Sequence, residues 1–311
     1  MAQKTLDWDV MLGWDDDLPA RRTRPSRSAA KRRTENTLMF LACAVMVCTL
    51  FLIENRSGIC SFLGLESAEV KAMHTETAAE LVTEGIRRGE TTVPLGIRID
   101  SVQFSNMRNA VLQQFADEKI DLFWARFDKQ DISGETVVNI SSYYPDRIPA
   151  EKGYACSKLY ADTVLSVQKN CPPDATDEEK VVYVHDWIVR RCSYDKQGAE
   201  NAVNGLCSTA YACIVEGSAI CSGYSRAFCV LMKELDMEAG YVSGWGLSKD
   251  KPNPRMDNGH AWNYVIVDGE RLYVDVTWDD PLTESGAEPK YIRHTYCMMT
   301  KEEIEANHVF Y

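Results

Sequence analysis

The stretch that most constrains this chain is His260–Asp280, HAWNYVIVDGERLYVDVTWDD. Two β-like runs flank Asp268-Gly269, a pair suited to the left-handed positions of a two-residue hairpin turn. If Val267 pairs with Glu270, the register of the whole hairpin follows. His260 comes opposite Thr277, and Trp262 opposite Asp275. His260 and Asp275 then share one face at a diagonal step of about 7–8 Å in backbone terms, within reach of an imidazole and a carboxylate. A slip of one residue would separate them onto opposite faces.

A second stretch, GSAICSGYSRAFCVLMKELDM, lies upstream at Gly217–Met237. Phe228, Leu231 and Leu235 recur at helical spacing after a Gly217-Ser218 turn, so Cys221 falls at or just before the first turn of a helix. Unpaired N–H groups and the helix dipole favour an anion there, and a thiolate is such an anion. Gly223 leaves room for a close approach by backbone or substrate. Each of these residues has an ordinary reading by itself: a small core cysteine, a core histidine, a surface carboxylate. Together they suit thiol chemistry. Cys221 attacks an acyl carbon, His260 takes and later returns the proton, and Asp275 fixes the imidazole tautomer.

The surrounding pattern runs from helices to strands. Helical spacing is expected over Ala68–Arg88, Asn106–Phe127, Lys158–Lys169, Leu206–Glu216 and Cys221–Met237. A further helix starts at Thr176, where Thr176 and Glu179 form a capping box and Val181, His185, Ile188 and Cys192 repeat on one face. Strands are expected at Val137–Tyr144, Tyr241–Trp245, His260–Val267 and Arg271–Thr277. Helices first and strands after give an α+β order. The domains expected are 54–150, mixed and mostly helical, and 151–311, which holds the thiol site.

The chain begins differently. Of its net charge of −12, residues 1–53 carry +2, with seven of their eight basic residues inside Arg21–Arg33. Thr37–Ile53 follows as 17 uncharged residues, near the lower limit of about 17–25 for a membrane span. We expect an uncleaved transmembrane signal anchor at 37–53, a cytoplasmic and mostly disordered tail at 1–36, and the rest of the chain extracytoplasmic by the positive-inside rule. A cleaved signal or a buried core helix are the alternatives. The tail contains LDWDVMLGWDDDLP, an acidic-aromatic stretch of a kind that binds partner proteins; an unstructured tail without a partner is an equal reading. The acidic balance excludes a general nucleic-acid binder.

No C-x-x-C pair occurs among the 11 cysteines, and the five histidines do not gather near them in sequence, so no structural zinc site is expected. Nor is a calcium loop or other cofactor motif read. Outside the cytoplasm some cysteines other than Cys221 are expected to be bridged. Cys207 and Cys213, if on one helix, would point to different faces and make poor partners.

GSAICSGYSRAF followed by GHAWNYVIVDGERLYVDVTWDDP resembles the core of bacterial transglutaminase-like domains, and VHDWIVRRCSYD resembles the helix and extension that precede the cysteine in that family. The resemblance covers roughly Thr176–Pro281. It implies a papain-like α+β fold, with Cys221 as nucleophile, His260 as base, Asp275 as third member, and the Cys221 N–H with an upstream side chain, Tyr194, as oxyanion donors. Trp262 and Trp278 flank the site as core aromatics or as a water shield. His185 reads as a packing or surface histidine. The implied activity is acyl transfer from amide bonds of proteins or peptides through a cysteine thioester, by a transglutaminase-like enzyme or a cysteine peptidase. The alternative is a non-catalytic peptide-binding or scaffold module of the cell envelope.

Overall fold

A computed structural model describes residues 68–201, 205–247, 259–280 and 291–311. The expected tail and the apolar segment Thr37–Ile53 lie outside the described residues. Among the described residues no helix is long and apolar enough to cross a membrane.

The first part pairs helices with a small sheet. Helix α1 (Ala68–Arg88) leads to β1 (Thr92–Pro94) and α2 (Ser101–Asp117), then to a hairpin of β2 (Ala125–Ile132) and β3 (Glu135–Ser142). The sheet order is β1-β3-β2. This corrects the helix expected over 106–127. The apolar spacing is real up to Phe115, but Lys119 enters the left-handed region (φ 59°) and Ile120 N–H bonds Phe115 O at 2.8 Å, which ends the helix. The region is therefore less helical than expected. Its hairpin turns at Ser133-Gly134, both at positive φ, with Ile132 paired to Glu135.

The second part is helix-rich and then sheet-rich. Helix α3 (Ala150–Asn170) begins after Pro149, earlier than the expected start at Lys158. Helix α4 (Asp177–Arg191) has both capping-box bonds between Thr176 and Glu179, acids in its first turn and Arg190 and Arg191 in its last, as the dipole favours. A two-residue strand β4 (Ser193–Tyr194) and a short helix α5 (Lys196–Asn201) follow. The single helix expected over 206–216 is two separate turns, Leu206–Ser208 and Ala212–Glu216, because Thr209 is extended and breaks the run. Strand β5 (Ser218–Ala219) then pairs parallel to β4. Helix α6 (Cys221–Glu234) packs on the sheet formed by β6 (Ala239–Gly246), β7 (Gly259–Val267), β8 (Glu270–Val274) and β9 (His308–Phe310), in the order β8-β7-β6-β9. Two four-residue helices, α7 (Val276–Asp279) and α8 (Lys301–Ile304), complete the elements.

The hairpin register is the expected one: Val267 pairs with Glu270 and Asn263 with Val274. Asp268 (φ 50°) and Gly269 (φ 83°) take the two left-handed turn positions. The ladder stops at Val274, however, so Asp275 and Thr277 are not strand residues as expected. Asp275 caps α7 instead, its side chain accepting from Trp278 N–H.

The apolar core runs across the boundary expected at 150/151. Buried residues from Ala78 to Val276 form one apolar cluster within the compact unit Glu69–Tyr311. Trp124 is fully buried and donates through Nε1 to Ser157 Oγ at 3.0 Å, tying the two regions together. A smaller cluster of Trp262, Tyr273 and Ile304 packs with Phe310 and Tyr296 beside β9. The eight described cysteines are free, so none of the expected disulfides is present among the described residues. Cys207 and Cys213 fall on different turns rather than on one helix.

Candidate active site

Cys221 is the first residue of α6, with Ile220 at the cap. The chain reaches it along β5, whose pairing with β4 sets Tyr194 beside Ala219. Ile220 N–H donates to Cys207 O at 3.0 Å, which fixes the residue just before the thiol. Gly223 sits where this loop presses on the helix: a Cβ there would lie 2.6 Å from Cys207 O and 2.8 Å from Ala219 Cβ. Its space is taken by backbone, not left for substrate.

His260 lies at the start of β7 with 9% of its side chain exposed, and Asp275 is fully buried. Their approach, Nε2 to Oδ2, is 2.6 Å. An ionised carboxylate only accepts, so Nε2 donates to Asp275 and Nδ1 is the ring nitrogen left for Cys221, which lies near enough to add to the rise of the imidazole. Burial alone would lower the imidazole, but the Asp275 charge and hydrogen bond, with a smaller part from Cys221, outweigh it and raise it to about 10. For Asp275, burial pushes the carboxyl up, while His260 and then His308 overcome this and hold it down at about 2. The two shifts describe one interaction seen from its two ends.

A residue absent from the sequence reading completes the cluster. His308, on β9 and 1% exposed, places Nε2 3.0 Å from the same Oδ2 of Asp275. Its Nδ1 is 2.8 Å from the Asn307 side-chain oxygen. Asp275 is thus held by two imidazoles on one oxygen and by Trp278 N–H at 3.2 Å on the other. His308 is 33 residues beyond Asp275, and no local pattern marks it.

The aromatic residues divide. Trp278 stacks on the His260 ring at 5.1 Å and 22° and lines the open cleft. Trp262 stacks on His260 from 6.0 Å but is fully buried, wedged against His308 and Phe310; it is a core residue. Tyr194 reaches the cleft. Burial first, then the nearby Cys221, raises its phenol to about 12, so it remains a proton donor at neutral pH. Asn263 bonds Ser225 O at 2.9 Å and Gly240 O at 3.2 Å, tying α6 to the sheet. The cleft has a volume of about 540 Å³ and is lined by Tyr194, His260, Thr277, Trp278, Asp280, Tyr291 and Arg293.

Other thiols are poor rivals for the nucleophile. Burial raises Cys229 to about 11 and Cys213 well above the ordinary thiol range, which suppresses the reactive thiolate. His185, expected to be an ordinary packing or surface histidine, is fully buried between Asp186 and Asp279.

Residues 162–277 match the model of the transglutaminase-like superfamily. The chain therefore carries a transglutaminase-like superfamily domain. No curated protein matches it. Among solved structures, it is similar to a TGase at 17% identity, covering 68% of this chain and 62% of that one, with a TM-score of 0.34. It is also similar to a candidate cysteine protease from Cytophaga hutchinsonii at 16% identity, covering 51% of this chain and 63% of that one, TM-score 0.31. A candidate protease from Parabacteroides distasonis is 12% identical over 48% of this chain and 35% of its own, TM-score 0.27. In each case the match spans less than two thirds of the solved chain.

Proposed function

We propose that the protein is a thiol acyl-transfer enzyme that acts on amide bonds of proteins or peptides through a thioester on Cys221. The observation that carries this reading is the disposition of His260. One ring nitrogen is 2.6 Å from a buried carboxylate, and the ring lies close enough to Cys221, at the first position of a helix, for that thiol to add to the rise of the imidazole. His260, raised to about 10, already holds a proton on Nδ1 as the imidazolium partner of a Cys221 thiolate; in the first step that sulfur bonds to the acyl carbon, and the charge developing on the acyl oxygen is met by the Cys221 N–H and the Tyr194 hydroxyl. His260 then gives its proton to the leaving amine as the carbon–nitrogen bond breaks. An amine or water attacks the thioester, with His260 now taking the acceptor's proton, and the thiol is restored.

The proposal includes an anchor at Thr37–Ile53, a cytoplasmic tail at 1–36 and an extracytoplasmic catalytic domain, supported by the basic block at Arg21–Arg33 that precedes the apolar run. Protease added to intact cells should degrade the chain beyond residue 60 and spare the tail; protection of the domain overturns this topology. The activity is tested by mass spectrometry of the protein mixed with a panel of glutamine-containing peptides and activated esters. A thioester on Cys221 is the expected product. Absence of any adduct across the panel, from a thiol that also resists iodoacetamide at mildly acidic pH, favours a binding module that uses the cleft without chemistry.

A further inference from the structure

The buried histidine on α4 is part of a second cluster. His185 Nε2 lies 3.3 Å from Asp279 Oδ2, and both side chains are fully buried. Asp279 is itself fixed by Thr295 N–H at 3.0 Å and Tyr296 N–H at 2.9 Å. An anchored carboxylate can only accept, so Nε2 carries a proton and a neutral His185 presents a lone pair from Nδ1. That lone pair faces another acceptor, Asp186 Oδ1, at 3.1 Å. His294 Nε2 approaches the same oxygen at 2.7 Å. A proton on Nδ1, or a cation drawn to both atoms, would satisfy this pair.

The arrangement is that of a carboxylate–histidine–metal relay, in which an outer acid orients the ligand ring and raises its basicity. We infer that His185 Nδ1, Asp186 Oδ1 and His294 Nε2 form a site for a divalent transition cation of the zinc class. The three ligand atoms lie within 4.8 Å of one another. Tetrahedral zinc with bonds of about 2.0–2.1 Å needs ligand atoms about 3.3 Å apart, so Asp186 Oδ1 must draw back by about 0.2 Å from His185 and about 0.6 Å from His294. His294, with 42% of its side chain exposed, stands on the solvent side and can move. Two imidazoles with one carboxylate suit zinc, cobalt or nickel; calcium and magnesium prefer oxygen donors. Arg190 occupies the other oxygen of Asp186 at 3.2 Å, leaving Oδ1 for the ion.

The site is a clamp beside the catalytic acid. Asp279 ends the helix that Asp275 begins. The strip carrying His294 also accepts the Asp275 N–H, at Tyr296 O, 2.9 Å away. A cation joining α4 to this strip therefore stiffens the turn that holds Asp275.

The test is a zinc titration of the full chain, stripped by chelation, followed by calorimetry and thermal melting. Because Cys221 and its histidines could take a soft cation themselves, the titration is repeated in Cys221→Ala. One equivalent should bind in both proteins and raise the melting temperature with zinc concentration. His294→Ala, at an exposed position, should fold normally and bind at least about 100-fold more weakly, and Asp279→Asn about 10- to 100-fold more weakly. Cobalt should give a tetrahedral spectrum free of sulfur-to-metal charge transfer in the Cys221→Ala protein. The inference is overturned if zinc binding disappears with Cys221→Ala or is unchanged in folded His294→Ala. It is equally overturned if cobalt reports a thiolate ligand, or if no stoichiometric zinc binds, which would leave His185 as a buried imidazolium between two acids.

Discussion

Two clusters in this protein are built from the same parts, one at each end of α7. At one end Asp275 holds His260 and His308 on a single oxygen; at the other Asp279 holds His185, which looks out on Asp186 and His294. Both acids are completely buried and both are pinned by backbone N–H groups. They differ in what the far side of the held imidazole meets. His260 meets a thiol at a helix start, which can give up a proton. His185 meets a carboxylate and another imidazole, the ligand set on which the inferred cation site rests. A buried acid holds a histidine in the same way in both places, and the third partner separates the proposed thiol site from the inferred cation site.

The largest expected effect tests the proton-moving end. Cys221→Ala should abolish acyl-enzyme formation outright in single-turnover reactions with an activated ester. A folded variant that still forms the adduct would move the nucleophile to another cysteine and dissolve the comparison.

Asp275→Asn comes next. In serine triads the analogous change costs about 10⁴-fold, and thiol catalysis should lose less because the Cys–His pair can ionise without help. Added to Cys221→Ala it should cost nothing further, since the residues act as a unit. Acylation at the parent rate by folded Asp275→Asn would reduce Asp275 to a helix cap.

His308 acts through Asp275 and should matter less. A hydrogen bond to a charged group contributes about 1.5–3 kcal/mol, so His308→Ala should slow acylation about 10- to 100-fold. His308→Gln, which keeps a donor near Asp275, should recover part of the loss. Equal rates for the two variants would show that only packing was lost. By contrast, His294→Ala in metal-free protein should leave acylation unchanged; a large loss would mean that the two clusters work as one.

The smallest effect is on stability. Asp275 sits below the usual carboxylate value of about 4, so its contribution is present above that pH and is lost as pH falls toward about 2. His260 is raised, so the same pairing contributes fully below the ordinary imidazole value of about 6.5 and fades as pH rises through about 10. The melting temperature of the parent minus that of Asp275→Asn should therefore be greatest between about pH 4 and 6.5. A difference that does not change with pH would show that the variant lost only packing.

Much of the proton-moving cluster was legible in the chain because its signals are local. Asp268-Gly269 requires two left-handed residues, and that requirement sets the ladder from Val267–Glu270 out to Asn263–Val274. Thr176 and Glu179 start α4 through bonds that span only three residues. Ser133-Gly134 marks a hairpin in the same way, but the helical spacing before it, which stops at Asp117, dominates the local pattern. The end of β8 at Val274 is not legible in the chain, because an Asp that caps a helix and an Asp that continues a strand look alike until the next turn forms.

The helix start at Cys221 and the nearness of His260 to Asp275 follow from the sequence by itself, since a helix start and a two-residue turn are decided by neighbours along the chain. His308 and His294 do not. His308 meets Asp275 across 33 residues and His294 meets Asp186 across 108, and no short-range rule links such positions. Their partners were chosen when β9 paired with β6 and the strip at 291–299 packed over α7. Only burial of the apolar faces of these distant segments could bring the imidazoles to carboxylates already committed by local structure.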